Sequence, residues 1–216
     1  MKKIFMTLAA VAVAATVNAQ LYIGGTFGFT STNNKTEVTA GTTTSTEVTT
    51  TRYNFTPEVG YKLNDKMAVG MTIGLSGFSR ENPVVAPTTK DEDTQFRLEF
   101  APYFRFIFAN WGKVSLFADG EVGFYTGTTK NEVTAGTTVS TENKEHGFHI
   151  AVKPGIMYQP TKQISLVAKL GNGFGFWNEV TERPVTAPVT DDKTTVNTFG
   201  LNLSSLGLSI GAYYNF

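Results

Sequence analysis

Leu206-Gly-Leu-Ser-Ile-Gly-Ala-Tyr-Tyr-Asn-Phe216 closes the chain without a single charged side chain. In an extended backbone Leu206, Leu208, Ile210, Ala212, Tyr214 and Phe216 share one face, and Gly207, Ser209, Gly211, Tyr213 and Asn215 share the other. Such a strand at the edge of a soluble sheet, with an apolar face and no charged gatekeeper, would invite aggregation. The apolar face therefore calls for a non-aqueous neighbour.

The terminal aromatic Phe216, the second aromatic Tyr214 and the alternating Ile210 and Ala212 resemble the closing strand of Gram-negative outer-membrane β-barrels. That resemblance implies that Ile210, Ala212, Tyr214 and Phe216 form the signal read by the barrel assembly machinery. It also implies the cell outer membrane as the location.

The start of the chain fits an exported protein. Met1-Lys2-Lys3 precedes an apolar run from Ile4 to Val17, followed by Asn18-Ala19-Gln20. A basic start, an apolar stretch too short to span a bilayer as a helix and small residues before Gln20 describe a signal peptide over 1–19. The barrel is then expected over 20–216. There is no cysteine, which excludes a lipidated amino terminus and a disulfide framework. Of 18 basic residues, removal of Lys2 and Lys3 leaves 16 against 18 acidic ones. So even a balance gives no reason to expect nucleic acid as a partner.

Apolar and polar residues alternate in eight stretches. The first three are Leu21 to Thr30, Tyr53 to Leu63 and Met67 to Phe78. The fourth is the clearest: Phe96, Leu98, Phe100, Pro102, Phe104, Phe106 and Phe108 alternate with Arg97, Glu99, Ala101, Tyr103, Arg105 and Ile107. Val114 to Thr126, Phe148 to Tyr158 and Ile164 to Phe176 follow, and the eighth begins near Phe199. Its apolar parity slips between Leu203 and Leu206, which predicts a bulge at Ser204-Ser205. Strands that alternate in this way cross a membrane without any long apolar run.

The connections set the topology. Asn64 to Lys66, Asn110 to Lys113 and Gln159 to Gln163 are short turns. Thr32 to Arg52, Ser79 to Thr94, Gly127 to Gly147 and Trp177 to Thr198 are long and polar. The expected fold is all-β: an eight-stranded antiparallel up-and-down transmembrane barrel with four long extracellular loops and both termini in the periplasm. Glycines share parity with the charges, which suits a crowded lumen, so the phenylalanines are expected to face lipid. Tyr61, Trp111, Tyr158, Tyr214 and Phe216 would form a lower aromatic girdle, and Phe29, Tyr53, Phe176 and Trp177 an upper one.

Two halves of the chain repeat. Residues 35–47 reappear as 130–142, and Glu81-Asn-Pro-Val-Val-Ala-Pro87 as Glu182-Arg-Pro-Val-Thr-Ala-Pro188. A repeat this long indicates duplication and not a solenoid.

With the lumen assigned, Glu58, Glu99, Asp119 and Glu121 are expected to meet Lys62, Arg97, Arg105, Lys153 and Lys169 inside it. Buried charges must pair and eight strands leave little room for water, so an ion-paired plug is expected in place of a channel. His146 and His149 are the only histidines, and no serine is placed beside them as a nucleophile, so catalysis is not expected. Asp91-Glu-Asp93 and Asp191-Asp192 could hold a divalent ion or bridge to lipopolysaccharide, but solvated loop charge is the expectation. No metal-ligand spacing is present along the chain, and neither a metal nor a cofactor is expected.

On architecture and terminal strand the chain resembles the small OmpA/OmpX/Ail-type outer-membrane family. The resemblance implies a monomer embedded in outer-membrane lipid and lipopolysaccharide, with a structural or surface-interaction role. A narrow pore or a lipid-modifying enzyme is the alternative. Relatives that tether the cell wall carry a further periplasmic domain, so that role is not expected. Thr36-Glu-Val-Thr39 and Thr46-Glu-Val-Thr49 flank Ala40-Gly41, where the chain can reverse. β-Branched threonine favours extended structure, so strands one and two, and five and six, are expected to continue beyond the membrane as polar ribbons able to bind a surface ligand or protein. The loops with Pro83, Pro87, Pro184 and Pro188 cannot pair throughout.

Overall fold

The computed structural model describes residues 20–40, 42–82, 90–170, 173–184, 192–201 and 208–216. The proposed signal peptide, the proline segments at 83–89 and 185–191 and the bulge expected at Ser204-Ser205 lie outside them.

Ten strand segments follow in order: β1 Leu21–Ala40, β2 Thr42–Asn64, β3 Met67–Glu81, β4 Lys90–Trp111, β5 Val114–Ala135, β6 Thr137–Tyr158, β7 Ile164–Leu170, β8 Phe174–Arg183, β9 Asp192–Leu201 and β10 Leu208–Asn215. All pairings are antiparallel, and each of β1 to β6 pairs with the next. From β6 the ring passes to β7, then β10, and closes on β1. That is a barrel of eight staves, with the β8–β9 hairpin rising from the last two.

The seventh stave is offset where its two segments meet β6. Gly155 faces Lys169 and Val152 faces Phe174, so three residues on one side match five on the other. The two additional residues keep the inward and outward parity. Gly173 sits at this offset with φ +64°, and a Cβ there would lie 2.1 Å from the Val152 carbonyl oxygen. Only glycine fits both the angle and the space. On the eighth stave Leu201 and Leu208 both face outward, an odd number of residues apart.

One end of the barrel carries the short connections. Asn64 Oδ1 accepts a hydrogen bond from the Lys66 amide at 2.8 Å and pins the β2–β3 turn. Gly112, at φ +64°, supplies the left-handed residue of the β4–β5 turn. Tyr22 pairs with Asn215 at the same end, so both strand termini lie there. In a transmembrane barrel this end is periplasmic.

At the other end the strands run on. β1 and β2 stay paired through Ala40 and Thr42, and β5 and β6 through Ala135 and Thr137. These are the two threonine-rich ribbons expected from the sequence. Two segments assigned as loops are also partly strand: Ser79 to Glu81 pair with Glu92 to Thr94, and Trp177 to Arg183 with Asp192 to Thr198. Polar residues alone point to loops here, but the threonines and valines among them fit a solvated ladder equally well.

The outer wall is apolar. Phe96, Leu98, Phe100, Phe104, Phe106, Phe108, Phe124, Ile150, Val152 and Ile210 are all exposed, as lipid-facing positions are in an isolated chain.

The plugged lumen and the candidate functional site

The inward face is built in three tiers. The lowest centres on Arg105, carried into the lumen by its position between Phe104 and Phe106. Its Nε donates to Asp119 Oδ1 at 2.7 Å and its Nη2 to Glu58 Oε1 at 2.9 Å. Lys169 Nζ reaches Glu58 Oε2 at 2.6 Å and Asp119 Oδ2 at 3.1 Å. Two cations thus face two carboxylates, and the side chains of Arg105, Glu58 and Asp119 are at most 3% exposed.

Aromatic rings seal this tier. The guanidinium lies 4.2 Å from the centre of the Phe117 ring, 5.1 Å from that of Tyr103 and 5.2 Å from that of Tyr213. The Tyr103 and Tyr213 hydroxyls also donate to Glu58, at 2.6 and 3.0 Å. Among the described residues no fully buried side-chain nitrogen or oxygen of this tier lacks a hydrogen-bond partner, the condition under which a buried ion cluster is tolerated. Inward glycines make room for the rings. A Cβ on Gly155 would come within 2.4 Å of Phe117 Cζ, and one on Gly60 within 2.2 Å of Tyr22 Cζ.

Above this plug lies the second tier. Lys153 Nζ donates to Glu121 Oε1 at 2.5 Å, and His149 Nε2 lies 2.7 Å from the same oxygen. Glu99 completes a group whose candidate ligand atoms, with those of Glu121 and His149, all lie within 4.8 Å of one another. The third tier is at the outer rim. Arg97 Nη2 bridges Glu145 at 3.0 Å and Glu179 at 3.1 Å, and its guanidinium stacks 4.2 Å from the Tyr125 ring centre.

Two recesses flank the plug. The outer one, of about 520 Å³, is lined by Thr72, Arg97, Glu99, Glu121, Lys153 and Lys169 among others. The inner one, of about 280 Å³, has Lys62, Asp65, Ala68, Arg105 and Tyr213 in its wall. Among the described residues none lines both, because the plug lies between them.

The family model for the outer membrane protein beta-barrel domain matches residues 4–205. The chain belongs to this outer-membrane β-barrel family. The barrel accordingly resides in the cell outer membrane. It is similar in structure to the outer membrane protein OprG from Pseudomonas aeruginosa, at 11% identity and a TM-score of 0.49, over 91% of this chain and 94% of that one. Neisserial surface protein A is another similar structure, at 12% identity and a TM-score of 0.31, over 92% of this chain and 98% of that one. No curated protein matches the sequence.

In this outer-membrane barrel the residues singled out from sequence separate into groups. Glu58, Arg105, Asp119 and Lys169 come together, and so do Glu121 and Lys153. Arg97 instead takes Glu145 and Glu179, which the sequence reading placed in a loop or left unassigned. Lys62 stands apart at the periplasmic mouth and forms no ion pair among the described residues. The Glu99 side chain has no hydrogen bond or ion pair with another described residue. Ile210, Tyr214 and Phe216 face outward, with the Tyr214 and Phe216 rings 5.1 Å apart, and Ala212 pairs with Gly25 on β1.

Two aromatic assignments are corrected. Phe117 is fully buried in the lumen and does not face lipid, because it shares parity with Asp119 and Glu121 and serves as the stacking surface for Arg105. Trp177 lies opposite His149 on the inward face and lines a recess with Glu99 and Lys153, so it is not part of the upper girdle. Tyr103 and Tyr213 lie on the polar faces that the alternation assigns them. Nothing in a single strand shows that three tyrosines converge, because Tyr22, Tyr103 and Tyr213 come from β1, β4 and β10.

Proposed function

We propose that this barrel is a closed, non-enzymatic outer-membrane protein that acts at the cell surface, presenting its two threonine-rich ribbons to a surface ligand or protein. The observation that carries this reading is the pairing of a sealed lumen with strand ladders that continue to Ala40↔Thr42 and Ala135↔Thr137. A sealed lumen leaves the outer surface as the part of the molecule available for interaction. The ribbon edges carry backbone N–H and C=O groups that can accept a partner strand by β-augmentation.

His149 supports no hydrolytic mechanism on this reading. Its Nε2 is engaged by Glu121, while His146 is exposed on the opposite, outward face. The barrel is proposed to act as a monomer, with outer-membrane lipid and lipopolysaccharide around its apolar wall and the assembly machinery reading Ile210, Ala212, Tyr214 and Phe216.

The test is deletion of residues 36–49 and 131–142. The shortened protein should reach the outer membrane in folded, heat-modifiable form and lose any adhesion that the full chain confers on cells. Adhesion that persists at the full level would remove the ribbons from the binding role.

A further inference from the structure

The tiers differ in their charge balance. In the plug, Arg105 and Lys169 offset Glu58 and Asp119. In the middle tier Lys153 pairs with Glu121 while the Glu99 side chain has no ion pair among the described residues, and at the rim Arg97 pairs with both Glu145 and Glu179. The outer recess above this neutral seal is lined by Glu99 and Glu121 together with Arg52, Arg97, Lys153 and Lys169, so a bound cation has to compete with ammonium and guanidinium groups for these carboxylates.

Above the seal, three ligand-bearing side chains converge from adjacent strands. Glu99 is on β4, Glu121 on β5 and His149 on β6. The imidazole lies flat over Gly123, where a Cβ would come within 2.0 Å of Cε1, so its position is set by the absence of a side chain there. Ligand atoms sharing a tetrahedral ion at roughly 2.0–2.2 Å stand about 3.3–3.6 Å apart. Closing from within 4.8 Å to that spacing requires only small side-chain movements.

We propose that Glu99, Glu121 and His149 form a divalent transition-metal site in the lumen above the plug. An imidazole with two carboxylates suits a borderline ion such as Zn2+, Ni2+ or Co2+. It suits Ca2+ poorly, since that ion takes six to eight oxygen ligands. Lys153 marks where the charge belongs, because its ammonium already sits on the Glu121 oxygen that the ion would use. Metal binding displaces that ammonium and gives Glu99 the partner it lacks among the described residues. The site was invisible along the sequence because the three ligands are more than twenty residues apart and meet only across the β4–β5–β6 register.

Full-length barrel purified from outer membranes in detergent tests the site by calorimetric titration with Zn2+. A second readout uses Trp177, which lines the same recess as Glu99 and His149. The chain has two tryptophans, so Trp111→Phe leaves Trp177 as the sole reporter for quenching by Co2+ or Ni2+. One ion per barrel is expected, with Glu99→Gln and His149→Gln each weakening binding at least tenfold and His146→Gln leaving it unchanged. Lys153→Met removes the competing ammonium and should tighten binding severalfold, a gain that does not depend on how well the loss variants fold. Zn2+ affinity indifferent to Glu99→Gln and His149→Gln, or saturation without quenching of Trp177, would place the ion elsewhere and overturn the proposal. Failure of both wild type and Lys153→Met to bind at millimolar Zn2+ would also overturn it.

Discussion

Arg105 is the residue on which the interior depends most. Its guanidinium contacts two carboxylates and lies within cation–π range of several rings while being almost wholly excluded from solvent. Replacing it with alanine leaves Glu58 and Asp119 to share Lys169. Removing one partner of a buried charge cluster costs about 3–5 kcal/mol, and denaturant unfolding in lipid vesicles should show a loss of that size. The glycine positions permit a finer comparison. Gly155→Ala pushes a methyl into Phe117, whose ring is held under Arg105, and overpacking of this kind costs roughly 1–3 kcal/mol. Gly120 faces outward, and a Cβ there would meet only the Phe104 carbonyl oxygen at 3.8 Å. Gly120→Ala should change stability by less than half as much in the same assay. Sequence parity separates these two glycines, Gly155 in phase with His149 and Lys153 and Gly120 with Val122 and the apolar wall. It could not show which ring each inward glycine accommodates, since Phe117 and Gly155 lie on different strands.

At the level of the strand, period-two patterning located every stave, because a one-residue slip would turn phenylalanine inward and charge into lipid. Patterning fails where both faces are wet. Residues 79–81, 90–94, 177–183 and 192–198 are paired in the structure, yet their polar sequence carries no alternation to reveal it. The ribbons at Ala40 and Ala135 were legible for a different reason, a repeated threonine-rich segment around Ala-Gly. The last strand, β10, also has a dual character: Tyr213 and Ser209 face the interior, while Ile210 and Tyr214 face lipid. Tyr214→Ala combined with Phe216→Ala should lower the yield of heat-modifiable protein in the outer membrane severalfold. Tyr213→Phe spares the outward face but deprives Glu58 of a hydroxyl donor. It should leave the yield intact and reduce stability by about 1.5–3 kcal/mol, the usual worth of a hydrogen bond to a charged group. Equal yields from the two sets of variants would contradict the division of labour between the faces.

For the whole molecule, a sealed barrel should pass almost no current. Planar-bilayer recordings of the purified protein are expected to show no stable conductance, and liposomes containing it should not swell in sugar solutions; a steady large conductance would sink the plugged reading. The seal has a further consequence in the order of construction. Its parts come from β1, β2, β4, β5, β7 and β10, so they span the chain from Tyr22 to Tyr213. The Tyr22 and Tyr213 rings stand 5.2 Å apart across the seam where the first and last staves meet, and Asn54 Nδ2 reaches Ser209 Oγ at 3.0 Å from the neighbouring stave. Until that seam shuts, Glu58 lacks its Tyr213 donor and water has a lateral route to every charge inside. The arrival of the final strand is therefore the moment at which the interior dries, and a sheet halted one strand short would remain a wet, charged trough in the membrane.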